Sequence, residues 1–142
     1  MTNEEKDLAL KDFCARLPYW INVLTKDNDK GHIIGVDDTE NGVFVVHIIE
    51  DGDSYTCDKS IEDFKPYLRS MSSMTEEEKK EAISLGISRA ISGNKKIFDG
   101  FGNVGAERQI KGLDWLNSHY FDYRGLIEKG LALEAPKDMY KF

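Results

Sequence analysis

Cysteine and proline are scarce in this sequence, and long apolar runs are absent from it. It holds only two cysteines, Cys14 and Cys57, and three prolines in 142 residues. Two isolated thiols fit a reduced cytosolic chain better than a disulfide framework. No apolar run approaches the ~20 residues of a membrane-spanning helix, and the polar start 1–7 is the opposite of a signal peptide. We therefore expect a cytoplasmic protein that does not contact a membrane.

Basic residues are scarce in the first half of the chain, so the whole net charge of −7 falls there. Residues 1–71 carry 15 acidic and 8 basic side chains, whereas residues 72–142 carry 11 of each. Binding to nucleic acid depends on clustered lysine and arginine. The first half is therefore a poor candidate for a nucleic-acid surface, and a basic protein partner remains open.

Residues 1–18 are predicted to form a helix. Thr2 and Glu5 have the spacing of a capping box, and Pro18 disfavours helical geometry in the residue before it. The predicted apolar face repeats at helical spacing and comprises Leu10, Phe13, Cys14 and Leu17. We expect Cys14 to be a small core residue on that face.

Residues 19–60 are predicted to form an antiparallel meander. Short β-branched and aromatic runs alternate with acidic turns, of which Asn41-Gly42 and Asp51-Gly52 favour tight hairpins. The four expected strands are Tyr19–Thr25, His32–Val36, Val43–Ile49 and Ser54–Cys57. The nearly continuous apolar run 43–49 is expected to be the central strand. This spacing predicts four to five strands, arranged as an open sheet or as a small SH3-like barrel.

Residues 61–142 are predicted to be mainly helical. Residues 61–68 are too short and too broken by proline for more than a one-turn connector. Thr75 and Glu78 form a second capping box, which begins a helix expected to end at Gly93. The predicted buried stripe of that helix is Ile83, Ile87, Ala90 and Ile91.

A glycine-rich loop is expected at 94–105. A helix through Ile110, restarted at Asp114, and a short apolar piece at 131–133 are expected to follow it. The whole chain 1–142 is thus predicted to be a single α+β domain.

Two motifs suggest cofactor or metal sites but lack the context that such sites need. Residues 100–105 match the spacing of a dinucleotide-binding loop, which requires a parallel strand before it and another after the following helix. Residues 95–98 are barely long enough for the first strand, and the other strands are expected to be antiparallel. The acidic turn 37–42 begins like a calcium loop, but Ile48 occupies the position of the bidentate glutamate. A plain loop and a solvated hairpin tip explain these stretches. No cofactor and no metal are expected.

Candidate catalytic residues are few. The sequence has no Cys-x-x-Cys, His-x-x-x-His or Gly-x-Ser-x-Gly spacing, and His47 lies within an apolar strand where a core role is usual. His119 and Asp122 stand three residues apart, so the carboxylate could orient the imidazole. We expect no enzymatic activity, and the alternative is a small hydrolase or nucleotide-binding enzyme that uses this pair.

The most unusual stretch is the aromatic block near the end of the chain. Its apolar members are expected to enter the core, and these are Trp115, Leu116, Phe121 and Leu126. Its polar members have the composition of a protein-binding hot spot, in which tyrosine and arginine are favoured. The predicted partner-binding residues are His119, Tyr120, Tyr123 and Arg124.

Three blocks of the sequence, Glu4–Tyr19, Lys65–Lys80 and Asp114–Tyr140, together resemble a family of small proteins from gut Bacteroidales and their phages. The family pattern has a proline where this chain has Ser70. The family carries no agreed enzyme activity. The resemblance therefore implies an accessory protein of phage or mobile-element origin that acts by binding another protein.

The runner-up hypothesis is a nucleic-acid-binding small barrel. It requires four basic residues of the second half to converge on one face, away from the acidic turns. These residues are Lys95, Lys96, Arg108 and Lys111.

Overall fold

A computed structural model of the chain describes residues 1–39, 42–49, 56–87 and 104–141, with the backbone alone for residues 38–39, 42–49 and 56–59. The chain divides into two compact units. Unit 1 comprises Met1–Tyr67 and Gly130–Leu133, and unit 2 comprises Leu68–Lys129 and Glu134–Phe142. The prediction of one domain over 1–142 stays a prediction.

Helix α1 (Asn3–Arg16) begins at the predicted capping box. The Thr2 hydroxyl accepts from the Glu5 N–H at 3.1 Å, and the Glu5 carboxylate accepts from the Thr2 N–H at 2.9 Å. These bonds satisfy backbone donors that have no partner within the helix. A 3-10 turn over Leu17–Tyr19, with Pro18 near its start, ends the helical segment.

The buried face of α1 differs from the predicted one. It consists of Ala9, Asp12, Phe13 and Arg16, and Cys14 is exposed, so the prediction that Cys14 is a core residue is wrong. The reason is an ion pair between Arg16 Nε and Asp12 Oδ2 at 3.0 Å, with both side chains almost fully buried. Apolar periodicity does not reveal a charged pair that occupies the inward positions.

Unit 1 is built on an antiparallel meander. The strands are β1 (Asn22–Thr25), β2 (Lys30–Thr39), β3 (Gly42–Ile49), β4 (Thr56–Ser60), β5 (Phe64–Leu68) and the two-residue β6 (Leu133–Glu134). The last residues of β5 and β6 belong to unit 2. The order is β4-β3-β2-β1-β5-β6, and strands β1 to β5 pair antiparallel with their neighbours. The α+β class is confirmed, and β3 has a partner on each side. Strands β4 and β6 are the two edges, so the described strands form an open sheet.

Strand β5 replaces part of the connector that the sequence predicts. The one-turn connector expected over residues 61–68 is confined to a 3-10 turn at residues 61–63, after which the chain extends and pairs with β1, with Pro66 opposite Val23. Phe64, Pro66 and Leu68 are buried, and the residues between them are more exposed. This alternation is the period of a strand with one buried face. Helix α1 packs against β2 and against the 3-10 turn.

Unit 2 contains two described helices, α2 (Glu76–Ser84) and α3 (Ala106–Ser118). The predicted capping box of Thr75 and Glu78 is confirmed. Helix α2 ends much earlier than predicted because Gly86 adopts a left-handed conformation with φ of +83°. Ile83 lies within α2 and is 54% exposed, so its predicted place in the buried stripe is wrong, whereas Ile87 is fully buried.

Other predictions for unit 2 have mixed outcomes. Helix α3 runs without a restart at Asp114. Ala90, Ile91 and Gly93, like most of the predicted loop at 94–105, lie outside the described residues. A buried cluster joins α2, α3 and the closing segment that follows α3 (residues 119–127). It consists of Met71, Met74, Ala82, Ile87, Trp115, Leu116, Phe121 and Tyr123.

Replacing Gly86 by alanine is expected to destabilise the protein by about 1–3 kcal/mol, because left-handed backbone is costly for other residues and the new Cβ would lie 2.8 Å from Val104 Cγ1. Chemical denaturation measures the change. Gly130→Ala is the matched control, since Gly130 has φ of +73° and a methyl group added there would have no heavy atom within 4 Å. Equal losses in the two variants would show that contact with Val104 contributes nothing.

Candidate functional site

A groove of about 730 Å³ lies within unit 2. Four segments form it: the stretch after β5, helix α2 with its N-cap, the C-cap of α3, and residues 134–140. Its lining residues are Arg69, Ser70, Ser73, Thr75, Glu77, Glu78, Glu81, His119, Glu134, Ala135, Pro136, Lys137, Asp138 and Tyr140. This volume lies within the range of ligand-binding clefts.

The ion pair of Arg69 and Glu78 forms one wall of the groove. Arg69 Nη1 donates to Glu78 Oε2 at 2.8 Å, and Nη2 donates to Oε1 at 2.7 Å. Glu78 also accepts from the Thr75 N–H at 3.0 Å as part of the capping box. A bidentate pair of this kind fixes both position and orientation, so the start of α2 is held to the chain that follows β5.

Arg69 also holds the aromatic block in place. Its N–H donates to the Tyr120 carbonyl at 2.7 Å, and its own carbonyl accepts from the Asp122 N–H at 2.8 Å. The guanidinium lies 4.3 Å from the centre of the Phe121 ring, a cation–π distance. Arg69 thus joins three parts of unit 2 that are far apart in sequence.

The pKa of Glu78 lies below its ordinary value. Burial raises the pKa of this carboxyl, but the hydrogen bonds from Arg69 and Thr75, together with the charge of Arg69, outweigh burial and lower it. A lowered pKa in the folded state means that the pair stabilises the fold above the unfolded pKa and loses that contribution as the pH falls.

We therefore expect the Arg69–Glu78 pair to weaken as the pH falls below about 4.5, the ordinary pKa of glutamate. Unfolding free energy measured between pH 7 and about 3 is expected to fall more steeply in the unmodified protein than in Glu78→Gln. Glu81→Gln is the control, because Glu81 is exposed and is expected to leave the slope unchanged. Identical slopes for Glu78→Gln and the unmodified protein would contradict the assignment.

His119 lies in the lining of the groove, at the C-cap of α3. Its Nδ1 is 2.9 Å from the Trp115 carbonyl oxygen. Since a carbonyl only accepts, Nδ1 is the donor in this contact. The imidazole also stacks on Trp115 with ring centres 4.5 Å apart, so its orientation is fixed by the core.

Tyr120 and Tyr140 form the aromatic edge of the groove. Their rings stack with centres 3.7 Å apart and planes at 9°, and both residues are half-buried. Tyr120 has φ of +62°, a conformation that is uncommon for an aromatic residue. This backbone geometry and the ring stack together connect α3 to the segment after β6.

The other predicted binding residues have different surroundings. Tyr123 is 6% exposed, and its hydroxyl donates to Asn117 Oδ1 at 2.8 Å, so it is a core residue with a satisfied polar group. Arg124 is half-buried, with its guanidinium 4.6 Å from the centre of the Tyr123 ring. Of the four predicted residues, His119 lines the groove and Tyr120 stacks on a lining residue, whereas Tyr123 supports the block from within.

Asp122 has a structural role in the closing segment. Its two carboxylate oxygens accept from the Leu126 and Ile127 N–H groups at 2.8 and 2.9 Å, and the residue is 4% exposed. Both oxygens therefore fix the turn that follows the aromatic block. These hydrogen bonds do not support the predicted pairing of Asp122 with His119. The location of His119 in a groove still suits a ligand-binding residue.

Outside the Arg69–Glu78 pair, the groove is acidic. Glu77, Glu81, Glu134 and Asp138 are exposed, and Lys137 is the remaining lining base. The lining therefore carries a net charge of −3 at neutral pH. Among the residues that the structure describes, no group of three or more histidine, cysteine, aspartate or glutamate side chains has the geometry to hold a metal ion. A lining of net negative charge attracts positively charged groups.

Several sequence candidates lie outside the described residues. These are Lys95 and Lys96, residues 100–103 of the glycine-rich motif, and the side chains of His47 and Cys57. Gly105 of that motif is the N-cap of α3. Arg108 donates to the Ser84 carbonyl, and Lys111 pairs with Glu107 at 3.4 Å. Both described bases of the nucleic-acid hypothesis thus already have partners within unit 2.

Sequence reasoning missed Arg69 and Tyr140 as site residues. Arg69 has contacts 9 to 53 residues away in sequence, and no local period marks such a residue. Tyr140 follows a stretch without helical or strand spacing.

In the described part of the chain, no helix is long and apolar enough to cross a membrane. Comparisons with protein-family models, with curated proteins and with solved structures find no match to this chain.

Proposed function

We propose that this chain is a non-enzymatic accessory protein that binds another protein through the groove of unit 2 and its aromatic edge. The observation that carries the proposal is the combination of an acidic groove with the stacked rings of Tyr120 and Tyr140. Protein-binding sites gain most of their affinity from a few such aromatic residues, surrounded by a polar rim.

The rigidity of the aromatic edge supports binding rather than a purely structural role. Arg69 bonds the backbone of Tyr120, and the Trp115 carbonyl bonds the ring of His119. A surface that is already ordered loses less conformational entropy when it binds. The four exposed carboxylates of the groove would attract a lysine- or arginine-containing segment and speed its association.

The resemblance of three blocks to proteins of Bacteroidales and their phages supports an origin in a phage or another mobile element. Two of those blocks, Lys65–Lys80 and Asp114–Tyr140, contain most of the groove lining. The cytoplasm is the proposed location, in keeping with the two isolated thiols.

Affinity capture from host lysate tests the binding proposal. Glu81→Lys reverses a charge of the groove, and Asp114→Lys makes the same change at an exposed position of α3 outside the lining. We expect a partner to be captured by the unmodified protein and by Asp114→Lys, and to be lost or reduced about tenfold in Glu81→Lys and Tyr120→Ala. Equal capture by all four proteins would overturn the groove assignment.

Small-molecule binding is the second candidate, because His119 lines a groove of about 730 Å³.

The nucleic-acid alternative is less well supported. It depends on an SH3-like barrel, whereas the described strands form an open sheet. A gel shift at low salt tests it, since phosphate binding is strongest there, and a shift that is abolished by Arg108→Ala would support it.

A further inference from the structure

Trp20 is the most exposed large aromatic side chain among the residues that the structure describes in unit 1. It is 58% exposed and lies at the end of the 3-10 turn, with φ of +59°. Left-handed backbone is rare and energetically unfavourable for bulky residues. A conformation of this kind persists only where the surrounding structure fixes it.

The contact that fixes Trp20 is a ring stack on His32. The ring centres are 3.7 Å apart and the planes differ by 23°. His32 lies in β2 and is 6% exposed. Next to it, the Ile33 N–H donates to the Ile21 carbonyl at 3.0 Å, so the backbone beside Trp20 is bonded to β2. One face of the indole is therefore covered by a fixed ring, and its exposed area is held in a defined orientation.

The charge of unit 1 indicates which kind of partner fits this surface. Unit 1 contains 15 acidic and 7 basic residues, a net charge of −8, whereas unit 2 has a net charge of +1. A field of this sign attracts cations from a distance. Tryptophan is also the best aromatic acceptor for a lysine or arginine side chain placed over its face.

We propose that Trp20 is the anchor of a second protein-binding surface, on unit 1, which takes a lysine- or arginine-containing segment of a basic protein partner. The charged side chain lies over the exposed indole, and the negative field of unit 1 brings the segment to it. Ile34, which follows Ile33 in β2 and is 44% exposed, offers apolar area for the aliphatic part of the segment.

A blocked oligoarginine peptide is the probe for this surface. The chain has two tryptophans, Trp20 and Trp115, so the protein labelled with ¹⁵N gives two indole N–H resonances in NMR spectra. We expect the Trp20 resonance to shift on titration and the buried Trp115 resonance to stay in place. Trp20→Leu is expected to weaken binding about tenfold, and Trp20→Phe, which keeps a ring over His32, about threefold.

The groove of unit 2 is also acidic and can take the same peptide, so affinity for unit 1 is read from the backbone N–H resonances next to Trp20. Glu81→Lys, which changes the groove alone, then separates the two surfaces. Unchanged affinity in Glu81→Lys, together with weaker binding in Trp20→Leu, supports the proposal. Weaker binding in Glu81→Lys with full affinity in Trp20→Leu would overturn it, because the peptide would then occupy the groove. Absence of a Trp20 shift, or binding to neutral lipid vesicles in place of the peptide, would overturn it as well.

Discussion

Replacing Asp12 by alanine is expected to lower the free energy of unfolding by about 3–5 kcal/mol, because it leaves the charge of Arg16 buried with its ion-pair partner removed. Arg16 and Asp12 are 0% and 1% exposed at their side chains, and their atoms approach to 3.0 Å. Arg16→Met is expected to cost a similar amount for the converse reason. Urea denaturation at neutral pH measures both variants.

The double variant Asp12→Ala/Arg16→Met makes the test specific to the ion pair. We expect it to lose far less stability than the sum of the two single variants, since removing both charges also removes the cost of burying them. Lys11→Ala, at an exposed neighbouring position, is the control and is expected to change stability by less than ~0.5 kcal/mol. Additive losses in the double variant would show that the two charges act independently.

Arg69→Ala is expected to destabilise the protein by about 2–4 kcal/mol, since charge-assisted hydrogen bonds contribute ~1.5–3 kcal/mol and a cation–π contact adds ~0.5–1 kcal/mol. The variant loses both bonds to Glu78, the bond to the His119 carbonyl at 3.3 Å, and the contact with the Phe121 ring. Thermal and urea denaturation measure the change.

Arg69→Lys distinguishes the geometry of the guanidinium from its charge. Lysine keeps the charge but cannot form the two-pronged bond, so we expect it to restore less than half of the stability that Arg69→Ala loses. Lys80→Ala, an exposed change on α2, should have little effect. A lysine variant as stable as the unmodified protein would mean that charge alone holds α2 to the chain after β5.

The sequence predicts the features that depend on local chemistry. Both capping boxes are confirmed because a threonine and a glutamate three residues on satisfy backbone donors wherever a helix starts. The meander of β1 to β4 follows from turn residues between β-branched runs. The apolar members of the aromatic block are buried as expected, with Leu116 and Phe121 fully inaccessible.

The features that depend on distant contacts are not predictable in this way. The sequence places the end of α2 at Gly93 because glycines at 86 and 93 look alike in sequence, and only φ at Gly86 shows which one stops the helix. The predicted inward face of α1 is wrong because Asp12 and Arg16 form a buried ion pair. In the sequence, such a pair cannot be distinguished from an exposed one.

The groove could not be predicted from the sequence, because it too depends on distant contacts. Its walls come from four segments, and Arg69 joins three of them by contacts that leave no pattern in the sequence. The sequence does direct attention to His119 and Tyr120, which lie at the groove. It does not show that Tyr123 enters the core, since the composition of a hot spot and that of a core edge are the same.

Site-specific photo-crosslinking tests the central claim most directly. A photoreactive phenylalanine analogue is placed at Lys137, an exposed residue of the groove lining, and separately at Asp114 on α3, and each protein is irradiated in host lysate. Binding through the groove predicts one discrete cross-linked partner from position 137 that disappears in a Tyr120→Ala background, with none from position 114. The same cross-linked species from both positions, or from position 114 alone, would contradict it.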